Sequence, residues 1–233
     1  MATAWRGQRW RSSERDRSVR YDLSSVADHL AEALRLAEES LRLDQAVYGL
    51  DSRDELSLHE LLAADLSGPY EVAREVHYPS SPRASRSERL RCDLVLTPRN
   101  SPLRRDTATA TLFDPPRQCD PCDALWLEVK VAYQFREGGV RHSGYGDQWQ
   151  SAVVEDLRKM EQDPLIHEAA LVLIVFNESE AILDKDLDLF ETVLTLQEVL
   201  AGFRQVRSIP ILDRIGHRLC TVALWPTIQR QTE

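Results

Sequence analysis

The sequence predicts an α/β domain: a mixed central sheet flanked by helices, with a helical addition at the N-terminus and strands added at the C-terminus. Three observations carry this. "AALVLIVF" (169 to 176) is a continuous apolar run, the pattern of a central strand covered on both faces. Amphipathic segments of helical period stand before and after it. Between them, three strand-like segments follow one another, so the order is helix, three strands, helix, strand.

Residues 1 to 20 are polar, Arg-rich and aperiodic, and read as a flexible arm. From 23 to about 47, Val26, Leu30, Leu34, Leu41 and Ala46 recur near helical spacing, with Asp22 as N-cap. A second helix spans 54 to 66 with Leu58, Leu61, Leu62 and Leu66 inward, stopped by Ser67-Gly68-Pro69. "YEVAREVHYP" alternates as a strand, with Val72, Arg74 and Val76 on one side. "LRCDLVL" (90 to 96) is the next strand, and 97 to 123 reads as a long inserted loop. "ALWLEVKVAYQF" (124 to 135) is the third strand. After a Gly-rich stretch comes an amphipathic helix at 147 to 163, with Trp149, Val153, Leu157 and Met160 on one face. The central strand, a helix from about 181 to 203, and strands in "SIPILD" and "CTVALW" complete the chain. The reading is one domain, 21 to 233, with a core at about 54 to 176.

Composition narrows the function classes. At 233 residues and 42% hydrophobic content the chain is long and apolar enough for one packed core. It has no run long enough to span a membrane and no secretory leader, so the cytoplasm is the expected location. Four cysteines are too few and too scattered for a disulfide framework. Cys119 and Cys122 form a C-x-x-C that is either half of a zinc site, lacking a second ligand pair, or a pair in a loop.

The net charge of -9 argues against a polyanionic partner until its distribution is considered. Residues 1 to 20 hold six Arg against Glu14 and Asp16, and residues 83 to 105 hold seven against Glu88 and Asp93. Two basic segments on an acidic body suit a local polyanion site, with Arg86, Arg89, Arg104 and Arg105 as phosphate contacts. Two solvated loops are the alternative. Trp5 and Trp10, interleaved with Arg in the arm, could stack on bases.

The third strand carries the chemistry. Leu125, Leu127, Val129 and Val131 share one face, and Trp126, Glu128, Lys130 and Ala132 share the other. An acid and a base two residues apart are either a salt bridge on a solvated face or a buried site. Asp93 lies at the head of the neighbouring strand, and Glu60 lies in the helix before the sheet. Two carboxylates facing one space suit Mg²⁺ or Mn²⁺. Lys130 is one of only three lysines, with Lys159 and Lys185, among 29 basic residues. A lysine in so Arg-biased a chain points to a need for a compact ammonium.

On "RCDLVL" followed by "WLEVKVA", the chain resembles the PD-(D/E)XK nuclease superfamily, which has the restriction-endonuclease-like fold. The resemblance covers about residues 54 to 176. It implies an α-β-β-β-α-β core, Asp93 and Glu128 as metal ligands, Lys130 as the catalytic lysine, and Glu60 as the helix acid, with Glu75 as its rival. Cys92 replaces the motif proline, and the gap from Asp93 to Glu128 is long. The implied function is Mg²⁺-dependent cleavage of DNA in restriction or phage defence. The alternatives are an inactive relative serving as a nucleic-acid-binding or scaffold subunit, and an interaction domain with a chance motif. A partner subunit or a homodimer fits the acidic body. Gln148, Gln150 and Asp156 are candidates for supporting contacts, while His77 and His142 read as structural or surface residues.

Overall fold

The computed structural model describes residues 21–80, 91–104 and 117–228, with the backbone alone for 147–152. Helix α1 (Leu23–Leu43) and α2 (Glu55–Leu66) precede strands β1 (Tyr70–His77), β2 (Arg91–Pro98) and β3 (Leu125–Tyr133). A small hairpin, β4 (Phe135–Arg136) and β5 (Val140–Arg141), leads into α3 (Tyr145–Gln162). The chain continues through β6 (Glu168–Asn177), α4 (Glu180–Leu196), β7 (Gln205–Pro210) and β8 (Leu219–Pro226). Six strands form one sheet in the order β1-β2-β3-β6-β8-β7. Only β3 and β6 run parallel, joined by the α3 crossover, so the sheet is mixed as the sequence predicts.

The helix starts follow from their caps. Asp22 accepts from the Ser24 N–H at 3.0 Å and Asp54 from the Ser57 N–H at 2.8 Å, each satisfying a donor that the first turn leaves free. Two helices end earlier than their periodicity suggests. After α1, Gln45 takes a φ of 52°. After α4, Glu198 takes a φ of 55°, and the Glu198 and Val199 N–H groups return to the carbonyls of Thr195 and Leu194. The hairpin in the Gly-rich stretch has no counterpart in the sequence reading. Its turn places Gly138 and Gly139 at φ 83° and 73°.

The sheet separates two cores. On one face Leu94, Leu96, Leu125, Leu127 and Val129 pack with Leu30 and Leu34 of α1 and Leu58, Leu62 and Leu66 of α2. On the other, Trp126, Leu171, Leu173 and Val175 pack with Val153, Leu157 and Met160 of α3 and Leu187 and Phe190 of α4. Strand β6 is covered on both sides, which is why its sequence shows no alternation. The N- and C-terminal additions hold each other through buried polar pairs. Glu38 of α1 meets Arg214 at 3.1 Å and accepts the Leu212 N–H. Asp51 meets His217 Nδ1 at 2.9 Å, and His217 Nε2 accepts the Phe135 N–H.

One local feature shapes the centre. In β1, Tyr70 and Val72 face the α1/α2 core, and alternation assigns Val76 and Tyr78 to the same side. Instead Ala73, Val76 and Tyr78 all belong to the α3/α4 core. Glu75, at φ 52°, produces the switch. The partner strand slips at the paired position: Leu94 and Leu96 face one core and Cys92 faces the other, with Asp93 between them. Among the described residues no helix is long and apolar enough to cross a membrane.

The left-handed conformation disfavours residues with a bulky Cβ. Glu75→Gly is therefore expected to leave thermal stability close to wild type, and Glu75→Val to lower it by about 1–2 kcal/mol. Equal melting temperatures for the two variants would contradict the face switch.

Candidate active site

Strands β2 and β3 are paired only at Leu94–Leu127, Val95–Trp126 and Leu96–Leu125. Beyond that point a side chain replaces the ladder: the Asp93 carboxylate accepts the Val129 N–H at 2.7 Å. The cleft where β2 leaves β3 is the candidate site. Glu128 projects into it from the α3-facing side of β3 and is only 3% exposed. The Tyr78 hydroxyl donates to Glu128 Oε1, and Asp93 lies beside Glu128. Tyr78 is held by stacking on Trp126, with ring centroids 6.0 Å apart. The face switch at Glu75 is what brings Tyr78 to this side.

A carboxyl as buried as Glu128, beside a second acid, takes its charge only at a cost. Burial raises the pKa of Glu128, and the neighbouring Asp93 raises it further, against the lowering effect of the Tyr78 hydrogen bond. Its pKa is pushed up to about 9, so without a cation Glu128 keeps its proton into the neutral range.

Lys130 is the next residue on the same face. Its ammonium lies 3.3 Å from Asp156 Oδ2, an ion pair without directed hydrogen-bond geometry. Burial acts to lower its pKa, but Asp156, Asp93, Glu128 and Glu55 together outweigh it and the net shift is upward. Lys130 therefore stays a cation, an electrostatic group rather than a proton acceptor. Asp156, buried on α3, meets Lys159 on its other oxygen at 2.7 Å.

The structure brings together Asp93, Glu128 and Lys130, with Asp156 as a supporting contact. It does not bring Glu60 to them. Glu60 is exposed on the outer side of α2, where Arg74 reaches it at 3.3 Å. Its rival Glu75 is also exposed and faces Arg91 at 4.0 Å. Arg104 pairs with Asp120 at 2.6 Å and donates to Gln118. Arg86, Arg89 and Arg105, the arm with Trp5 and Trp10, and the side chains of Gln148 and Gln150 lie outside the described residues. Cys119 is buried, and its backbone pairs with that of Leu103.

The helix residues that face the cleft are His59 and Glu55. His59 Nδ1 is 4.0 Å from Asp93 Oδ1, and Nε2 is 3.7 Å from Glu55. The ring is 7% exposed, and Nε2 has no hydrogen-bond partner among the described residues. Helical geometry holds the missed signal. At about 100° per residue, Glu60 lies about 200° from the inward Leu58, whereas His59 lies on the flank beside it. Tyr78 had no such signal, because simple alternation places it on the wrong face.

Among the described residues no three His, Cys, Asp or Glu side chains form a group arranged to hold a metal. The Asp93–Glu128 pair still fits a hexahydrated-type ion such as Mg²⁺, which takes one or two carboxylates and keeps waters for the rest. A divalent cation would replace the Glu128 proton. Comparison with protein-family models, curated proteins and solved structures found no match.

A carboxyl whose folded-state pKa is raised contributes stability that is fully present below the unfolded pKa and lost as pH rises toward the folded one. In metal-free protein, melting temperature is expected to fall from pH 5 to pH 9. Glu128→Gln keeps an acceptor for Tyr78 and removes the titration, so it should flatten that slope and melt higher than wild type at pH 8. Each unit of pKa shift corresponds to about 1.4 kcal/mol. A Glu128→Gln protein with the wild-type slope would rule out a proton held on Glu128.

Proposed function

We propose that this chain is a metal-dependent nuclease of the restriction-endonuclease-like fold, hydrolysing phosphodiester bonds of DNA in restriction or phage defence. The observation that carries the reading is the buried Glu128 carboxyl lying beside Asp93, with the Lys130 ammonium on the same strand face. A salt bridge on a solvated face would leave Glu128 exposed and paired with Lys130. Glu128 is instead buried against a second acid, and Lys130 pairs with Asp156.

Mg²⁺, or Mn²⁺ in its place, held by Asp93 and Glu128, would neutralise the pair and polarise a water and the phosphate oxygens. Tyr78 fixes the Glu128 carboxylate through Oε1. The Val129 N–H fixes Oδ2 of Asp93, leaving Oδ1 on the side of His59. Lys130 donates to the negative charge that builds on the phosphoryl oxygens as the attacking oxygen bonds to phosphorus. His59, buried beside Asp93, supports the same space with a nitrogen still to be satisfied. The Arg-rich segment containing Arg86, Arg89, Arg104 and Arg105 adjoins Asp93 in sequence and would contact the DNA backbone.

One observation favours the second reading, an inactive relative acting as a nucleic-acid-binding or scaffold subunit. The acid expected on α2, Glu60, is turned away from the site.

Millimolar Mg²⁺ is expected to raise the melting temperature of wild type at pH 8 by several degrees. Asp93→Asn preserves the acceptor for Val129 but weakens the cation site, so its melting temperature should not respond. An equal rise in both proteins would place any bound cation elsewhere.

With plasmid and Mg²⁺, Lys130→Ala should lose about a hundred- to a thousandfold in cleavage rate while still binding DNA. Lys130→Arg should recover little, because a guanidinium is larger and planar. Strong cleavage by Lys130→Ala would overturn the assignment. No cleavage by wild type under any divalent cation would favour the inactive reading.

A further inference from the structure

Two of the three lysines of the chain converge on one carboxylate. Lys130 on β3 and Lys159 on α3 contact opposite oxygens of Asp156, at 3.3 and 2.7 Å. Asp156 is buried, while the two lysine side chains are 26% and 32% exposed. We propose that Lys159 is a second phosphate-binding cation of the cleft, and that Asp156 is the positioning residue that holds both ammonium groups to receive a DNA phosphate. The proposal rests on the nuclease reading of the cleft.

Asp156 carries a cation on each of its two oxygens, so the two ammonium groups are held close together on one carboxylate. Two ammonium groups sharing a carboxylate repel each other, and an anion arriving between them and the water relieves that repulsion. A phosphate diester supplies that charge. Asp93, Glu128 and Glu55 act on Lys130 as well, whereas Lys159 pairs with Asp156.

The residue type supports it as well. An ammonium has three N–H donors, so Lys159 gives one to Asp156 and still offers two, while Lys130 meets Asp156 by charge alone. An arginine fork facing the same carboxylate would close on it with two parallel hydrogen bonds and spend its geometry there. Nearly all other basic residues here are arginine, so two lysines on one carboxylate match a need for spare donors. Asp156 and Lys159 are three residues apart on α3, which puts them on one side of the helix. Asp156 also connects that helix to β3, so the spacing of the two cations is set by packed elements and not by a loop.

The test uses the full chain. Cleavage kinetics with Mg²⁺ on a duplex oligonucleotide are combined with anisotropy titrations of the same labelled duplex in Ca²⁺ at several salt concentrations. Lys159→Ala should raise KM about tenfold while kcat changes less than about threefold, and should reduce the salt slope of binding by about one. Lys159→Arg keeps the charge and should restore the slope. Asp156→Asn should affect both constants, raising KM and lowering kcat, because Lys130 loses its anchor too. Asp156→Glu keeps the charge and serves as the comparison if Asp156→Asn melts below the assay temperature.

A purely structural salt bridge predicts a lower melting temperature for Lys159→Ala with KM and salt slope unchanged, and that result overturns the proposal. If wild type binds the duplex with a Lys159-dependent slope but does not cut it, the nuclease reading fails and the phosphate contact stands. If wild type neither cuts nor binds, both are overturned.

Discussion

The burial of the Glu128 carboxyl against Asp93 is the constraint on which the centre of this molecule depends. An apolar residue at position 128 would continue the core of Trp126 and Ala132 without penalty. A carboxyl there loses its hydration and lies beside a second acid, a cost that only hydrogen bonds, a retained proton or a cation can offset. Every unusual feature nearby contributes to that compensation. Tyr78 supplies a hydroxyl donor, and the broken β2–β3 ladder makes room for the Glu128 and Asp93 side chains.

The cleft is open because two adjacent strands change face together. The left-handed residue Glu75 and the slip at Asp93 occur at paired positions, so the distortion is confined to one cross-strand pair. The surrounding layers hold it in place. Strand β6 is locked between β3 and β8, and the polar pairs Glu38–Arg214 and Asp51–His217 tie the N-terminal helix to the far edge of the sheet. Strain of about 1–3 kcal/mol at such a position persists only where packing over-determines it. The site places the buried Glu128 beside Asp93, with two lysines meeting a further acid, Asp156.

Charge is also sorted by element. The acids of the cleft come from β2, β3, α2 and α3, whereas its two ammonium groups both rest on Asp156. Asp93 and Glu128 are thus distinct from Asp156, the carboxylate that meets both Lys130 and Lys159. The net charge of -9 says nothing of such an arrangement, because it sums over a surface that a ligand would not touch.

The sequence by itself determined the order of helices and strands, the Asp22 N-cap, the covered central strand, and the placement of Glu128 and Lys130 together on one face of β3. These are properties of period and local chemistry, recorded within a few residues of one another. It also singled out Asp93, whose strand is adjacent to β3, and Asp156 as a supporting residue. Tertiary structure alone decided that Glu60 turns to Arg74 while His59 takes the inner position, that α4 stops at Leu196, and that Tyr78 and Lys159 join the cleft. The helical wheel limited the choice on α2, but it needed the position of the sheet to say which flank mattered. Tyr78 was hidden because a single non-glycine residue in the left-handed conformation has no signature in composition, and it inverts the alternation for everything after it. Periodicity fixes direction about an element's own axis. Distance between side chains far apart in the chain follows only from how those elements pack.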